Sequence, residues 1–362
     1  MVKVLNCFIG IIFIFALSIA GCDSGGDDSS SGSSSGDITD TTDITDTATS
    51  ITWYAADKKT FYTEDVSFKM VYVTGKTFPT GTTTTTGTET VDNDYWIAET
   101  EVTYELWKEV YTWALGNGYT FANPGREGND GTDGADATEA MREPVTYINW
   151  RDAMVWCNAL TEWYNEISDT SYTCAYYADE DYSTPLRVST STASFSTTEG
   201  SEDTPYIIAA ATGNTDMENC TATGFRLPTS AEWELASRWR TNETNTVSGY
   251  SDPWFTMGNS LSGSPVGADD DEDYIDYMNY SMAVFGVTST ADVNTKMANS
   301  LGIYDMSGNA SEHCFNLHGT NTRIFRGGNW GNAVDEMWLG DYSAMSPYNA
   351  DTYTGIRFVK ND

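Results

Sequence analysis

LGIYDMSGNASEHC, residues 301–314, is followed by RIFRGGNWGN, residues 323–332, and the chain then runs through a polar and aromatic segment to GIRF, residues 355–358. Gly and Asn interrupt the first two runs, and such interruptions mark tight turns. The pattern therefore predicts short strands joined by long loops, with a Ser-Gly-Asn turn at 307–309. Short strands and long loops of this kind extend back to about residue 240.

Three segments upstream of this region carry helix signals. Thr103–Gly116 begins with a capping threonine and ends at a glycine. Trp150–Tyr164 has apolar residues at the 3.6-residue period. Thr229, with Glu232 three positions later, forms a capping box that opens a third helix, through about Arg240.

Strand signals lie between these helices. Phe68–Phe78 and Tyr95–Glu101 alternate apolar and polar residues, and Pro144–Asn149 is a shorter fragment of the same kind. Two or three helices among short strands that do not follow one another in a regular order predict an α+β fold with many loops.

The N-terminal residues predict export. Residues 1–21 have a basic start at Lys3 and a short apolar core, Phe8–Ile19, which is too short to span a bilayer because about 20 residues are needed. Ile19 to Cys22 resembles a bacterial lipobox, so we expect lipidation of Cys22. Residues 22–50 hold no aromatic residue and predict a flexible tether, and residues 51–362 form the folded domain. We expect the protein on the bacterial cell envelope, at its outer surface.

Charge and cysteine content narrow the function further. A formal charge of -35, with only 18 basic residues, excludes nucleic acid as a partner and leaves the lipid anchor as the only membrane contact. In an oxidising compartment Cys157, Cys174, Cys220 and Cys314 allow three pairings, of which Cys174 with Cys220 is the candidate because they flank an irregular insertion. Cys157 and Cys314 are expected as buried thiols.

Several blocks in order give the chain a family resemblance. They are MVYVTGKTFPTG (Met70–Gly81), PVTYINWRDAMVWCNAL (Pro144–Leu160), GFRLPTSAEWELASR (Gly224–Arg238) and NSLGIYDMSGNASEHC (Asn299–Cys314), followed by RGGNW and GIRF. Together they resemble the formylglycine-generating-enzyme (sulfatase-modifying factor) superfamily. The resemblance implies a C-type lectin-like fold.

The same resemblance implies that the family's chemistry is lost. The oxidases of this family need a copper-binding cysteine pair in the interval that corresponds to Asn329–Thr354, and this chain has no cysteine there. Iron-dependent relatives use histidines, but His313 and His318 are the only two in the chain, and we expect them to be surface residues. We therefore expect neither copper nor iron, and no catalysis. The alternative is an oxidase-type modifying enzyme with a non-standard active site.

A calcium site is also implied by the resemblance. In the family, a calcium ion is held by the side chains that correspond to Asp305 and Glu312 and by the carbonyls that correspond to Gly308 and Ala310. Hard oxygen ligands suit calcium. The alternative is a tight turn whose acidic residues are only solvated.

The last segment resembles the variable proteins of diversity-generating retroelements, which are exported lipoproteins of spirochaetes such as treponemes. In those proteins adenine-directed mutagenesis rewrites a C-terminal segment, here about 329–354. Such mutagenesis cannot produce Trp or Met from an Asn codon, so Trp330 is interpreted as an invariant residue in the wall of the binding site. The candidate diversified positions are Gly331, Asp335, Asp341, Tyr342, Tyr348, Asn349, Asp351 and Tyr353.

The leading hypothesis is therefore a non-catalytic binding lipoprotein. Tyr with Asp, Asn and Gly is the composition of an adaptable binding surface. The expected ligand is a protein or a glycan. The alternative interpretation of this segment is a polar loop that degenerated after the loss of an active site.

Overall fold

The structure is a computed structural model that describes residues 58–62, 66–82, 87–136, 142–240, 255–264 and 279–362. These residues belong to one compact unit, Thr52–Asp362. The predicted signal peptide, the lipidation site Cys22 and the tether lie outside the described residues. No helix within the described ranges is long and apolar enough to cross a bilayer.

The three predicted helices are confirmed, and caps set their ends. They are α1 (Tyr104–Gly116), α2 (Trp150–Ser168) and α3 (Ser230–Arg238). Capping boxes close the N-termini of α2 and α3, the first through Asn149 and Asp152 and the second through Thr229 and Glu232. α2 is longer than predicted because it continues to Asp169, whose left-handed conformation (φ 50°) ends it.

The strands are short, as the sequence predicted. They are β1 (Lys58–Tyr62), β2 (Ser67–Val73), β3 (Thr77–Thr80), β4 (Gly87–Thr90), β5 (Tyr95–Ala98), β6 (Arg126–Glu127), β7 (Val145–Thr146), β8 (Tyr176–Tyr177), β9 (Tyr206–Ile207), β10 (Phe225–Arg226), β11 (Ser311–His318), β12 (Thr322–Arg326), β13 (Ser343–Met345), β14 (Thr354–Gly355) and β15 (Val359–Asn361). The predicted strand Phe68–Phe78 is two strands, β2 and β3.

Two sheets organise the domain. The larger has the order β1-β2-β5-β15-β10, and all its neighbours are antiparallel. Because β15 lies beside β5 and β10, the end of the chain is held inside the sheet that the first strands build. The smaller sheet has the order β13-β12-β11-β14, in which β11 and β14 are parallel. It carries the SEHC and RIFR runs quoted above.

Tryptophan side chains pack in the hydrophobic core of the domain. Trp107 of α1 stacks on Trp156 of α2 with ring centroids 5.3 Å apart and planes 11° apart. Trp233 of α3 is fully buried in a second apolar cluster with residues of β2, β5 and β11. Burial of aromatic side chains of this size supplies a large share of the hydrophobic stabilisation. This packing fixes α3 and the smaller sheet relative to each other.

The predicted disulfide between Cys174 and Cys220 is not formed. Both cysteines are free thiols, as are Cys157 and Cys314, which are buried as expected. The thiol of Cys174 points to the backbone carbonyl of Asn158 in α2, 3.8 Å away, and so is directed at the helix.

Candidate ligand-binding site

A cavity of about 670 Å³ opens at one edge of the smaller sheet. Its wall comes from the first residues of β11 and β14, from the end of β12 with the Gly-Gly turn that follows it, and from loop residues 335–343. Five residues predicted to bind ligand line it: Asp335, Asp341, Tyr342, Asp351 and Tyr353. The segment interpreted as variable therefore forms much of one concave surface.

The other predicted residues divide into two groups. Trp330 stacks on Tyr353 (centroids 5.0 Å apart), and a Cβ added at Gly331 would lie 3.5 Å from the same ring, so both positions adjoin the cavity. Tyr348 packs instead against the guanidinium of Arg151, 5.5 Å from the ring centroid. Asn349 is exposed, and neither it nor Tyr348 lines the cavity.

The Gly-Gly turn after β12 sets the entrance of the cavity. Gly327 and Gly328 both have left-handed backbones, with φ of 91° and 67°. A Cβ at Gly328 would lie only 2.5 Å from Cγ of Met337, so a side chain cannot be accommodated there without movement. The carbonyl of Gly327 accepts a hydrogen bond from the backbone N–H of Gly308 (2.8 Å), which ties this turn to the Ser-Gly-Asn turn.

Arg326 holds the loop on the far side of the cavity. Its guanidinium pairs with the carboxylate of Glu234 in α3 (2.7 Å) and donates to the carbonyls of Leu339 and Asp341 (3.1 Å each). Glu234 pairs in addition with Arg238 (2.6 Å). Charge-assisted bonds of this kind are stronger than neutral ones, so the loop that carries Asp341 and Tyr342 is fixed from behind.

A second buried ion pair lies behind the cavity. The carboxylate of Glu312 in β11 accepts hydrogen bonds from two nitrogens of Arg357, at 2.7 and 2.9 Å, and from the indole N–H of Trp233, at 2.6 Å. Arg357 also donates to the carbonyls of Ala98 and Tyr304 (2.8 Å each). This one guanidinium therefore joins GIRF to β5, to β11 and to the start of the Ser-Gly-Asn turn.

These contacts bear on the predicted calcium ligands. Both carboxylate oxygens of Glu312 already accept hydrogen bonds from Arg357 and Trp233, so Glu312 does not fit the role of a calcium ligand. Asp305 accepts a hydrogen bond from the N–H of Asn294 at 2.6 Å through one oxygen, while its other oxygen has no partner. The described residues contain no cluster of three or more His, Cys, Asp or Glu side chains arranged to hold a metal ion. Calcium binding through Asp305 and the carbonyls of Gly308 and Ala310 stays a prediction.

Glu101 is a structural residue of the site that the sequence did not reveal. Its carboxylate accepts hydrogen bonds from the amide group of Asn309 (2.7 Å) and from the N–H of Ala310 (2.8 Å). Burial, and then the charge of Asp305, raise the pKa of Glu101. Burial raises the pKa of Asp305 to about 6. The only sequence signal was an acidic residue at the end of the predicted strand Tyr95–Glu101.

The two histidines differ in exposure, and neither lines the cavity. His318 is exposed, as expected, but His313 is fully buried in β11, so that part of the surface prediction is wrong. Burial lowers the pKa of His313 to about 4, against the charge of Asp351. Burial also raises the pKa of the Cys157, Cys174 and Cys314 thiols, which disfavours the reactive thiolate. None of the four described cysteines lines the cavity.

The fold is an α+β domain of the C-type lectin-like type in which loops after short strands line the cavity. The sequence profile described as "Sulfatase-modifying factor enzyme 1-like domain" matches residues 58–362. The chain belongs to this family, and the resemblance to formylglycine-generating enzymes is confirmed.

Individual relatives agree with this assignment. The chaperone protein LppX of Paenibacillus barcinonensis is 27% identical over 308 residues, which cover 82% of this chain and 90% of that protein. The crystal structure of CarF aligns with a TM-score of 0.58 and 25% identity, over 82% of this chain and 98% of that one. Treponema denticola variable protein 1 aligns with a TM-score of 0.58 and 23% identity, over 84% and 99% of the two chains, and so shows the fold.

The role of Glu312 can be separated from calcium binding by one substitution. Glu312→Gln leaves Arg357 buried without its counter-charge, so we expect the free energy of unfolding to fall by about 3–5 kcal/mol. Denaturant titrations in excess calcium and in EDTA should show the same loss. A loss confined to the calcium-containing buffer would instead make Glu312 a calcium ligand.

His313 predicts a pH dependence of stability. Its pKa is about 4 in the folded protein, below its ordinary value of 6.5, so the unfolded chain binds the proton first as the pH falls. The contribution of neutral His313 to the free energy of unfolding is therefore fully present above pH 6.5, and about 3 kcal/mol of it is lost as the pH falls to 4. Denaturant titrations across this pH range should show that the free energy of unfolding changes less with pH in His313→Gln than in the wild type. The control His318→Gln, at an exposed position, should keep the wild-type pH dependence. An unchanged pH dependence in His313→Gln would contradict the lowered pKa of His313.

Proposed function

We propose that this protein is a non-catalytic ligand-binding lipoprotein, displayed on the cell envelope through Cys22, whose segment 329–354 forms a diversifiable binding site. The observation that carries the proposal is the cavity, because five of the predicted diversified positions line it together. The ligand is a protein or a glycan, and the lipid anchor is the only membrane contact.

The exposure of the cavity residues supports binding. Tyr342 and Tyr353 are large aromatic residues with 44% and 42% of their surface exposed. Tyrosine presents a large contact area at low entropic cost, which is why binding surfaces use it. The positions behind them, Arg326 and the Gly-Gly turn, are held by buried hydrogen bonds. The replaceable positions thus face outward and the fixed ones face inward.

Two relatives support the non-catalytic part. One is named a variable protein and another a chaperone, and neither name denotes an oxidase. Family membership favours the alternative, an oxidase-type modifying enzyme with a non-standard active site. The buried thiols and the cysteine-free cavity wall weigh against that alternative.

Binding can be tested with the full chain in detergent micelles on arrays of extracellular proteins and of glycans. For the ligand found, Tyr342→Ala with Tyr353→Ala should weaken binding roughly ten-fold or more, because central tyrosines are frequent hot spots. Tyr280→Ala, at an exposed tyrosine outside the cavity wall, should leave binding unchanged. Unaffected binding in the double variant, or copper-dependent oxidation of a thiol peptide, would contradict the proposal.

Diversification leaves a record in DNA. We expect the flanking sequence to contain a reverse transcriptase and an adenine-rich near-copy of the 3′ end of the coding region. Codons at Asp341, Tyr342 and Tyr353 should correspond to adenine-containing codons in that copy. If neither element is found, the site is a fixed one and the diversification proposal is wrong.

A further inference from the structure

We propose that the cavity takes a cationic group, the side chain of a lysine or arginine on a protein ligand, and that Ser311 and Thr354 are hydrogen-bond partners for it at the cavity floor. This inference rests on the proposed binding function. The inference goes beyond that function by naming the chemistry of the ligand and two contact residues that lie at or outside the ends of the variable segment.

The wall of the cavity is rich in acidic side chains. Four carboxylates line the cavity, those of Asp335, Glu336, Asp341 and Asp351, and Arg326 is the one basic residue among the described residues of the wall. Within the described part of the chain, none of the four carboxylates forms an ion pair, whereas Arg326 is paired with Glu234, a carboxylate that it shares with Arg238. Unpaired charges of one sign in a cleft concentrate the field and attract the opposite charge.

Two hydroxyl groups at the floor of the cavity also indicate a ligand, independently of the charge of the wall. Ser311 and Thr354 are direct partners in the parallel pairing of β11 with β14, so their side chains lie side by side. They are 0% and 1% exposed, and neither hydroxyl oxygen has a hydrogen-bond partner within the protein. Both residues line the cavity. A buried hydroxyl without a partner is costly, so two adjacent ones at a cavity floor indicate a place for a ligand group.

The acidic wall and the hydroxyl groups of the floor favour the same ligand. An ammonium group carries three N–H donors and a guanidinium carries five, whereas both hydroxyls and Asp351 can accept. The stem of either side chain is apolar and can pack on Tyr342 and Tyr353 at the rim. An anionic side chain would meet four carboxylates of its own sign, and a neutral glycan would leave their charge unbalanced.

Short peptides test the charge requirement directly. The probes are acetyl-Gly-Lys-Gly-amide, its arginine counterpart, and matched peptides with Nε-acetyl-lysine or glutamate at the centre. The full chain in micelles carries fluorotyrosine, and the signals of Tyr342 and Tyr353 are assigned by substituting each with Phe. We expect the lysine and arginine peptides to shift both fluorine signals, with an affinity at least five-fold weaker in 300 mM than in 50 mM salt. The two matched peptides should leave both signals unchanged.

Variants at the floor test the contact residues. Thr354→Val and Ser311→Ala should each weaken binding of the cationic peptides about five-fold without lowering the melting temperature, because each removes a hydroxyl that has no partner in the free protein. Thr256→Val is the matched control, since Thr256 is also buried with an unpartnered hydroxyl but lies outside the cavity wall. Asp341→Asn should weaken binding, whereas Asp92→Asn, at an exposed position away from the wall, should not.

The outcomes separate this inference from the proposed function. If the glutamate peptide or a neutral oligosaccharide shifts the two tyrosine signals and the cationic peptides do not, the cationic inference is wrong and the binding function stands. If cationic peptides bind equally well to Thr354→Val and Ser311→Ala, the role of the floor is wrong. If no ligand found on the arrays depends on Tyr342 and Tyr353, the proposed function itself fails.

Discussion

The buried ion pair between Glu312 and Arg357 is the interaction on which the rest of the site depends. It connects β11 to the segment between β14 and β15, and through the remaining donors of Arg357 it also fixes the carbonyls of Ala98 and Tyr304. Such a pair is a weak source of net stability, because removing two charges from water is costly. Its geometric effect is large, since it holds both sheets and α3 at one point and thereby sets the floor of the cavity.

The cavity is built on this frame in two layers. The inner layer consists of groups whose partners are internal: Arg326 with Glu234, the Gly-Gly turn with Gly308, and Glu101 with Asn309. The outer layer consists of Asp335, Asp341, Tyr342 and Tyr353, which are exposed. A side chain of the outer layer can change without breaking a buried bond. That separation is the physical condition for a surface that varies while the fold does not.

Much of this arrangement follows from the sequence, but only where the signal is local. The helices were predictable because their caps lie within three residues of the positions they satisfy, as with Thr229 and Glu232. Membership of the family was predictable because ordered blocks such as RGGNW carry it. The sequence predicted only that Asp335, Asp341, Tyr342, Asp351 and Tyr353 share a segment. It did not reveal that Tyr348, in the turn between β13 and β14, packs against Arg151 instead.

Contacts between distant residues were not predictable. Arg357 lies 45 positions from Glu312, and Glu101 lies 208 positions from Asn309, so no spacing rule connects them. The family resemblance implied that Glu312 is a calcium ligand, whereas in the structure its carboxylate pairs with the guanidinium of Arg357. The unpartnered hydroxyls of Ser311 and Thr354 likewise depend on the parallel register of β11 and β14.

The central claim is that the frame folds independently of the cavity rim. The most direct test replaces Asp335, Asp341, Tyr342 and Tyr353 with Ser in one chain and measures the free energy of unfolding by denaturant titration. The account predicts cooperative unfolding with a loss of less than about 2 kcal/mol, because exposed substitutions each have small effects. Loss of cooperative unfolding in this variant would contradict it.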